Sequence, residues 1–168
     1  EAGRMEVKLT KVTIRDIIHT SLEGFYKMCE EKGIVIKLED TLTVTEIDTD
    51  EQKFRLILTN LLSNAYKFTQ SWGLMSVRIS NTKKQLSISI TDNGIGISED
   101  RLPYIFEKFN QSENVDYTKK SIKWTWLWLN LSKQVVEMLG WSITAQSTSG
   151  SWSTFTFFLP LSYDIQKH

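Results

Sequence analysis

This chain of 168 residues has little cysteine, little glycine and no net charge, and each scarcity excludes something. The single cysteine, Cys29, has no partner for an internal disulfide. Its place among apolar residues at helical spacing predicts a reduced, inert core thiol, as expected in the cytoplasm. Twenty basic and twenty acidic residues cancel, which gives no footprint for nucleic acid and no general attraction to anionic lipid. No apolar run reaches the length a bilayer requires, and no basic-then-apolar leader opens the sequence. Glycine numbers eight, where average usage would supply about twelve. The first residue is Glu1, not Met, so a piece of a longer protein is expected. The length predicts one domain, able to bury roughly 70% of the surface of its unfolded chain.

What is present is mostly amphipathic pattern. Residues 1–12 read as a polar tail with a weak helical pattern through Met5 and Val7. Ile14, Ile17, Ile18, Leu22, Phe25 and Cys29 recur at helical spacing until Gly33 stops the helix. Ile34, Ile36 and Leu38, then Leu42, Val44 and Ile47, predict two strands around a polar turn at Glu39-Asp40-Thr41. Asp48 or Asp50 caps a second helix, whose apolar face carries Phe54, Ile57, Leu58, Leu61, Leu62, Ala65 and Phe68 as far as about Thr69. A strand over Leu74–Ser80 and a second ending at Thr91 follow. Residues 97–123 then form a long polar connection, with Phe106 and Phe109 as its anchors, of the kind that serves as a functional lid. A third helix over about Leu127–Leu139 and strands over Ser142–Ser147 and Thr154–Leu159 complete an α+β two-layer sandwich, a mixed, mostly antiparallel sheet under about three helices.

Two stretches carry chemistry. In Thr91-Asp92-Asn93-Gly94-Ile95-Gly96-Ile97, a strand delivers a carboxylate to a loop whose glycines permit a tight turn and a close approach to a flat ligand. An acceptor-only carboxylate suits a base edge that donates hydrogen bonds. The same pattern also marks ordinary turns. On the second helix, Asn60, Asn64 and Lys67 lie on one stripe, where two carboxamides and a cation suit a hydrated metal and a polyphosphate. A solvated stripe is the alternative reading.

Taken in order, Asn60-Leu61-Leu62-Ser63-Asn64-Ala65-Tyr66-Lys67-Phe68-Thr69, then Asp92-Asn93-Gly94-Ile95-Gly96-Ile97, then Tyr104-Ile105-Phe106-Glu107-Lys108-Phe109 resemble the N box, first glycine box and phenylalanine box of sensor histidine kinases. Their catalytic ATP-binding domain belongs to the GHKL group, with type II topoisomerase, mismatch-repair and Hsp90-type ATPases. The resemblance covers essentially the whole chain. It implies the GHKL sandwich, ATP and Mg²⁺ as ligands, and transfer of the γ-phosphoryl group to a histidine on separate dimerisation helices. By the same resemblance Asp92 accepts from the adenine amino group, while Gly94, Gly96 and Ile97 shape the nucleotide pocket. Asn64 and Asn60 hold Mg²⁺, Lys67 faces the phosphates, and Phe106 and Phe109 anchor the lid. Lys119, Lys120 and Lys123 read either as phosphate-neutralising or as solvated. Neither His19 nor His168 sits in a phosphoacceptor motif.

One box departs from the pattern. Where the family has roughly Gly-Thr-Gly-Leu-Gly-Leu, this chain reads Trp124-Thr125-Trp126-Leu127-Trp128-Leu129. Trp72, Trp141 and Trp152 also stand where glycine is favoured, so all six tryptophans do. We read this as a decoding effect, a UGA codon that means glycine in the source organism and is written as tryptophan; deliberate mutagenesis is the alternative. Tryptic mass spectrometry of the native protein decides, and tryptophan in its 124–128 peptide contradicts the decoding idea. If genuine, three indoles crowd a loop whose backbone N–H groups approach phosphate. Trp124, Trp126 and Trp128 among lysines then also read as an aromatic-basic surface for a membrane interface or single strands.

The expected organisation is 1–12 as the end of an upstream dimerisation-helix segment, 13–163 as the catalytic ATP-binding domain and 164–168 as a tail. The expected partners are ATP, the dimerisation helices of the same protein and, through the parent kinase, a response regulator; nucleic acid is not among them. The fragment is expected to be monomeric, the parent a homodimer in two-component signalling. A noncatalytic GHKL module is the runner-up. A self-contained GHKL ATPase is disfavoured, because no acidic general base precedes Asn64 in Thr59-Asn60-Leu61-Leu62-Ser63.

Overall fold

The computed structural model describes residues 6–107 and 120–161, and for 120–124 and 126 the backbone alone. The chain runs β1 (Thr10–Thr13), α1 (Ile14–Lys32), β2 (Val35–Asp40), β3 (Glu46–Thr49), α2 (Glu51–Phe68), β4 (Leu74–Asn81), β5 (Gln85–Asp92), a 3-10 turn at Leu102–Tyr104, α3 (Lys120–Met138), β6 (Ser142–Thr148) and β7 (Trp152–Pro160). The larger sheet has the order β2-β4-β5-β7-β6, with β2 parallel to β4 and the other pairs antiparallel. Strict alternation gives this sheet one apolar face. Met75, Val77 and Ile79 on β4, Leu86, Ile88 and Ile90 on β5, and Phe155, Phe157 and Leu159 on β7 are all buried in the core shared with the helices. The opposite face carries Ser and Thr, joined by cross-strand contacts such as Ser89 to Thr156 and Thr91 to Thr154, each 2.8 Å. The result is the predicted two-layer sandwich.

Local signals explain the helix ends. Gly33 closes α1 in the left-handed region at φ 70, its N–H reaching the Cys29 and Glu30 carbonyls. Asp50 caps α2 by accepting the Lys53 N–H at 3.1 Å. Cys29 is buried, as expected.

Three expectations are corrected. Residues 10–13 are a strand, not part of a helical tail, because β1 pairs antiparallel with β3 in a separate two-stranded sheet. For the same reason β2 and β3 do not form a hairpin about residues 39–41: β2 pairs with β4, and Arg15 holds the Asp40 carboxylate and the Leu42 carbonyl where the chain leaves the sheet. Finally, α3 starts at Lys120, a full two turns before Leu127. Trp124–Leu129 therefore lies inside a helix. Tryptophan costs a helix interior less than glycine does, which sits about 1 kcal/mol below alanine, so this box favours helix where a glycine-rich one favours loop.

The described tryptophans differ among themselves. Trp72 adopts φ 67, a left-handed conformation that costs a residue with a Cβ roughly 1–2 kcal/mol, and it is 86% exposed. Its indole lies over Gly33, where an added Cβ would come within 2.5 Å of the ring. That backbone is one glycine adopts without cost. Trp141 is buried instead, edge-on to Phe54 at 6.0 Å and stacked on Phe157 at 6.3 Å.

Candidate functional site

Asp92 is the last residue of the central strand β5, hydrogen-bonded into the sheet on both sides, opposite Met75 of β4 and Ser153 of β7. That placement leaves it 3% exposed. Burial pushes its carboxyl pKa up to about 6, against the opposing effect of the Gly94 N–H, which donates to Oδ1 at 2.9 Å. The following loop is sealed against backbone on two sides. A Cβ at Gly94 would sit 2.2 Å from the Phe68 carbonyl oxygen at the end of α2. One at Gly96, where φ is 65, would sit 2.1 Å from the Thr148 carbonyl oxygen. Asn93 adds a latch to β4: its N–H donates to the Leu74 carbonyl at 3.1 Å and its Oδ1 accepts the Leu74 N–H at 2.8 Å.

The α2 stripe faces α3. The Lys67 ammonium donates to the Thr125 hydroxyl at 2.7 Å, and Asn60 Nδ2 donates to the Ser132 hydroxyl at 3.2 Å. Between them Asn64 is 7% exposed, and its Nδ2 has no hydrogen-bond partner among the described residues. Partial burial lowers the Lys67 pKa. An open groove of about 550 Å³ lies at the C-terminal end of α2, lined by Lys32, Lys67, Phe68, Thr69 and Ile95 among others, and reaches the stripe only at Lys67. The Lys32 ammonium ties off the end of α2, donating to the Thr69 carbonyl at 2.6 Å and the Tyr66 carbonyl at 3.2 Å.

The structure thus brings Asn60, Asn64 and Lys67 together on α2, and Asp92, Gly94, Gly96 and Ile97 together at the end of β5. The two groups meet where Gly94 abuts Phe68. Phe106 is half-buried, 6.2 Å edge-on from Phe155, while its neighbour Ile105 is fully buried and is the stronger anchor. Asn130 of α3 donates to the Phe106 carbonyl at 2.7 Å. Leu127 and Trp128 are exposed on α3. Trp124 and Trp126 lie on the helical backbone, with their side chains outside the described residues, as are those of Lys120 and Lys123. Phe109, Lys119 and His168 fall outside the described residues altogether. His19 is exposed on α1.

Sequence reasoning missed the partners of these residues. Thr125 and Ser132 are seven apart, as are Asn60 and Lys67, and two antiparallel helices with matched spacing of this kind can meet in that way. Ser147 and Ser153 are legible only once the register of β5, β6 and β7 is known. No helix among the described residues is long and apolar enough to cross a membrane, and no cluster of three or more His, Cys, Asp or Glu there could hold a metal.

A buried carboxylate at the end of a central strand, a glycine loop sealed behind it and a polar stripe on the adjoining helix mark this two-layer α/β sandwich. A family model described as histidine kinase-, DNA gyrase B-, and HSP90-like ATPase matches residues 49–163, and the chain belongs to that family. An uncharacterised sensor-like histidine kinase of Rhizobium meliloti is 32% identical over 160 residues, covering 95% of this chain and 30% of that protein. The chain spans less than a third of the length of the curated relatives it matches. The structure of full-length ShkA in complex with AMPPNP superposes with a TM-score of 0.80 at 26% identity, over 96% of this chain and 33% of that one. The histidine kinase ThkA in complex with the response regulator TrrA shares the fold, with a TM-score of 0.75 at 16% identity over 95% of this chain and 44% of that one.

Proposed function

We propose that this chain is the ATP-binding catalytic domain of a two-component sensor histidine kinase, donating the ATP γ-phosphoryl group to a histidine on separate dimerisation helices. The observation that carries this reading is Asp92, a carboxylate 3% exposed with Gly94 and Gly96 packed directly behind it. Membership of the family and the nucleotide complex of ShkA support it.

In this reading Asp92 accepts from the adenine amino group, and Gly94, Gly96 and Ile97 form the wall beside the base. Lys67 exchanges the Thr125 hydroxyl for a phosphate oxygen, a charge-assisted bond and so the stronger one. The unpartnered Asn64 Nδ2 suits a phosphate oxygen, and its Oδ1, with that of Asn60, suits Mg²⁺, which takes few protein ligands along with phosphates and water. The donor set fits the ion, whose contribution when bound is to neutralise charge between phosphates. Transfer breaks the bond between the γ-phosphorus and the bridging oxygen, releases ADP and forms a phosphorus–nitrogen bond on the acceptor. Positioning and charge neutralisation govern such a step.

The acceptor helices, a homodimeric parent and a response regulator belong to the proposal, as does a cytoplasmic setting. So do the limits 13–163 with flanks 1–12 and 164–168, although β1 already begins at Thr10. A second reading, a noncatalytic module of the same family, is favoured by one observation: the box at Trp124–Leu129 is helical, and α3 covers the stripe through Thr125 and Ser132.

The two readings separate when the chain, joined to the dimerisation helices of a relative, is incubated with γ-labelled Mg²⁺–ATP. Acid-labile label on histidine is the expected result. Nucleotide binding without label on histidine establishes the module instead.

A further inference from the structure

We propose that Ser147 is a positioning residue that fixes the hydrogen-bonding character of the base pocket, and with it a preference for a base carrying an amino group. The inference rests on the nucleotide-binding reading above and adds a residue that touches no ligand.

Ser147 lies near the end of β6, and its Oγ has three polar neighbours. It receives the Ile97 N–H at 2.7 Å, lies 2.6 Å from the Trp152 carbonyl oxygen and 3.0 Å from the Ser153 hydroxyl. A hydroxyl has one proton, and a carbonyl has none to give. The Ser147 proton therefore goes to Trp152, and toward Ile97 and Ser153 the oxygen can only accept. Ser153 must donate its own proton to Ser147. What it then presents elsewhere is lone pairs alone.

Ser153 stands directly opposite Asp92 across the β5–β7 pair, and the two are 6% and 3% exposed. Residues opposed in this way share a face, about 4.5–5.5 Å apart. The floor beside the glycine loop thus offers two acceptors and no donor: an ionised carboxylate and a hydroxyl whose proton is engaged. That floor suits a ligand edge that donates, as the exocyclic amine of adenine does. A carbonyl in the same place, as in hypoxanthine, faces lone pairs on both sides.

Ser147 also holds the loop itself. The Gly150 N–H donates to the Ile95 carbonyl at 2.7 Å, and Gly96 rests against Thr148. The β6–β7 hairpin therefore grips residues 95–97 at three points, and the Ser147 hydroxyl links that grip to the proton of Ser153.

The test is calorimetric titration of ADP and IDP into the chain and its Ser147→Ala, Ser147→Cys and Ser147→Thr variants, each first shown to be folded. The chain is expected to bind ADP at least tenfold more tightly than IDP. Ser147→Ala frees the Ser153 proton to serve as a donor, so the ratio should fall about tenfold, while Ser147→Thr keeps the hydroxyl and the ratio. Ser147→Cys retains the packing with a poor acceptor, and should follow Ala even where Ala does not fold. Equal weakening of both nucleotides, or an unchanged ratio in Ala or Cys, overturns the proposal, because loss of structure alone would not distinguish the bases. Amide exchange at Ile97 is read in the same nucleotide-free proteins. If neither the chain nor its form with glycine at the six tryptophan positions binds either nucleotide, the functional reading falls and the base preference with it, and the exchange then reads the loop contact alone: faster exchange confined to 95–97 in Ala or Cys shows that Ser147 holds the loop, and unchanged exchange removes that role too.

Discussion

Asp92→Asn should raise the unfolding temperature of the nucleotide-free domain at pH 7 while removing most of its affinity for adenine nucleotides. The carboxyl has its pKa raised by burial from 3.8 to about 6. Between those values the folded state keeps a proton that the unfolded chain releases. Stability from this group is therefore full below about pH 4, falls as pH rises toward 6 and stays low above it. Two pKa units correspond to about 3 kcal/mol, an upper bound on what a neutral side chain recovers at pH 7. For a domain of this size that is on the order of 5–10 °C. Asparagine can still accept the Gly94 N–H through Oδ1, which turns its amide NH₂ toward the adenine amino group. Two donors then face each other, and an unpaired buried group costs about 1–3 kcal/mol, or roughly 5- to 150-fold in affinity. Thermal unfolding across pH 4–8, with a nucleotide titration at pH 7, checks both halves. A lower unfolding temperature at pH 7, or unchanged affinity, contradicts the assignment. A gain in stability coupled to a loss of binding is the mark of a residue retained for its ligand.

Gly94→Ala should be strongly damaging, because the added methyl falls where the loop meets the end of α2. The new Cβ would lie 2.2 Å from the Phe68 carbonyl oxygen and 2.7 Å from Asp92 Oδ1. Neither can yield cheaply. The first is backbone at the end of α2, adjoining the carbonyls that Lys32 ties down, and the second is held by the Gly94 N–H. Relief requires parting α2 from the loop, which moves Lys67 away from Asp92. Overpacking of a rigid site costs about 1–3 kcal/mol, and we expect the upper end together with loss of nucleotide binding. Gly24→Ala is the control, since nothing lies within 4 Å of a Cβ there and Gly24 is interior to α1. That change should stabilise by about 0.5–1 kcal/mol. Chemical denaturation of both variants reads the contrast, and a Gly94→Ala protein as stable as its parent would show that the loop is not sealed as described.

How much of this was legible beforehand depended on how local the signal was. Spacing predicts the helices, Gly33 and the pair Asp48 or Asp50 predict their caps, of which Asp50 is the one used, and the alternation of Leu86 to Ile90 leads to Asp92, because each depends on residues close in sequence. Pairing was not legible. Leu42 to Ile47 has the pattern of a strand, yet the strand is Glu46–Thr49, and nothing in the pattern says that its partner is Thr10–Thr13 and not the strand just before it. The start of α3 was missed because the box at Trp124–Leu129 was read as the glycine loop of the family it resembles, and indoles carry a different backbone preference. Asn60, Asn64 and Lys67 were placed on one stripe correctly, but their contacts with Ser132 and Thr125 required knowing that α3 packs antiparallel across them. The hydroxyl of Ser147 was further still from view, as its role depends on the register of three strands.

In the function proposed above, an adenine nucleotide binds between the end of β5 and the α2 stripe. Calorimetric titration of Mg²⁺–AMPPNP into the folded chain, and into the same chain with glycine at all six tryptophan positions, decides this. We predict one site per chain in the glycine form and weaker binding in the chain as written, where α3 is helical through Trp124–Leu129 and lies over Lys67. Absence of binding in both, each folded, contradicts the claim.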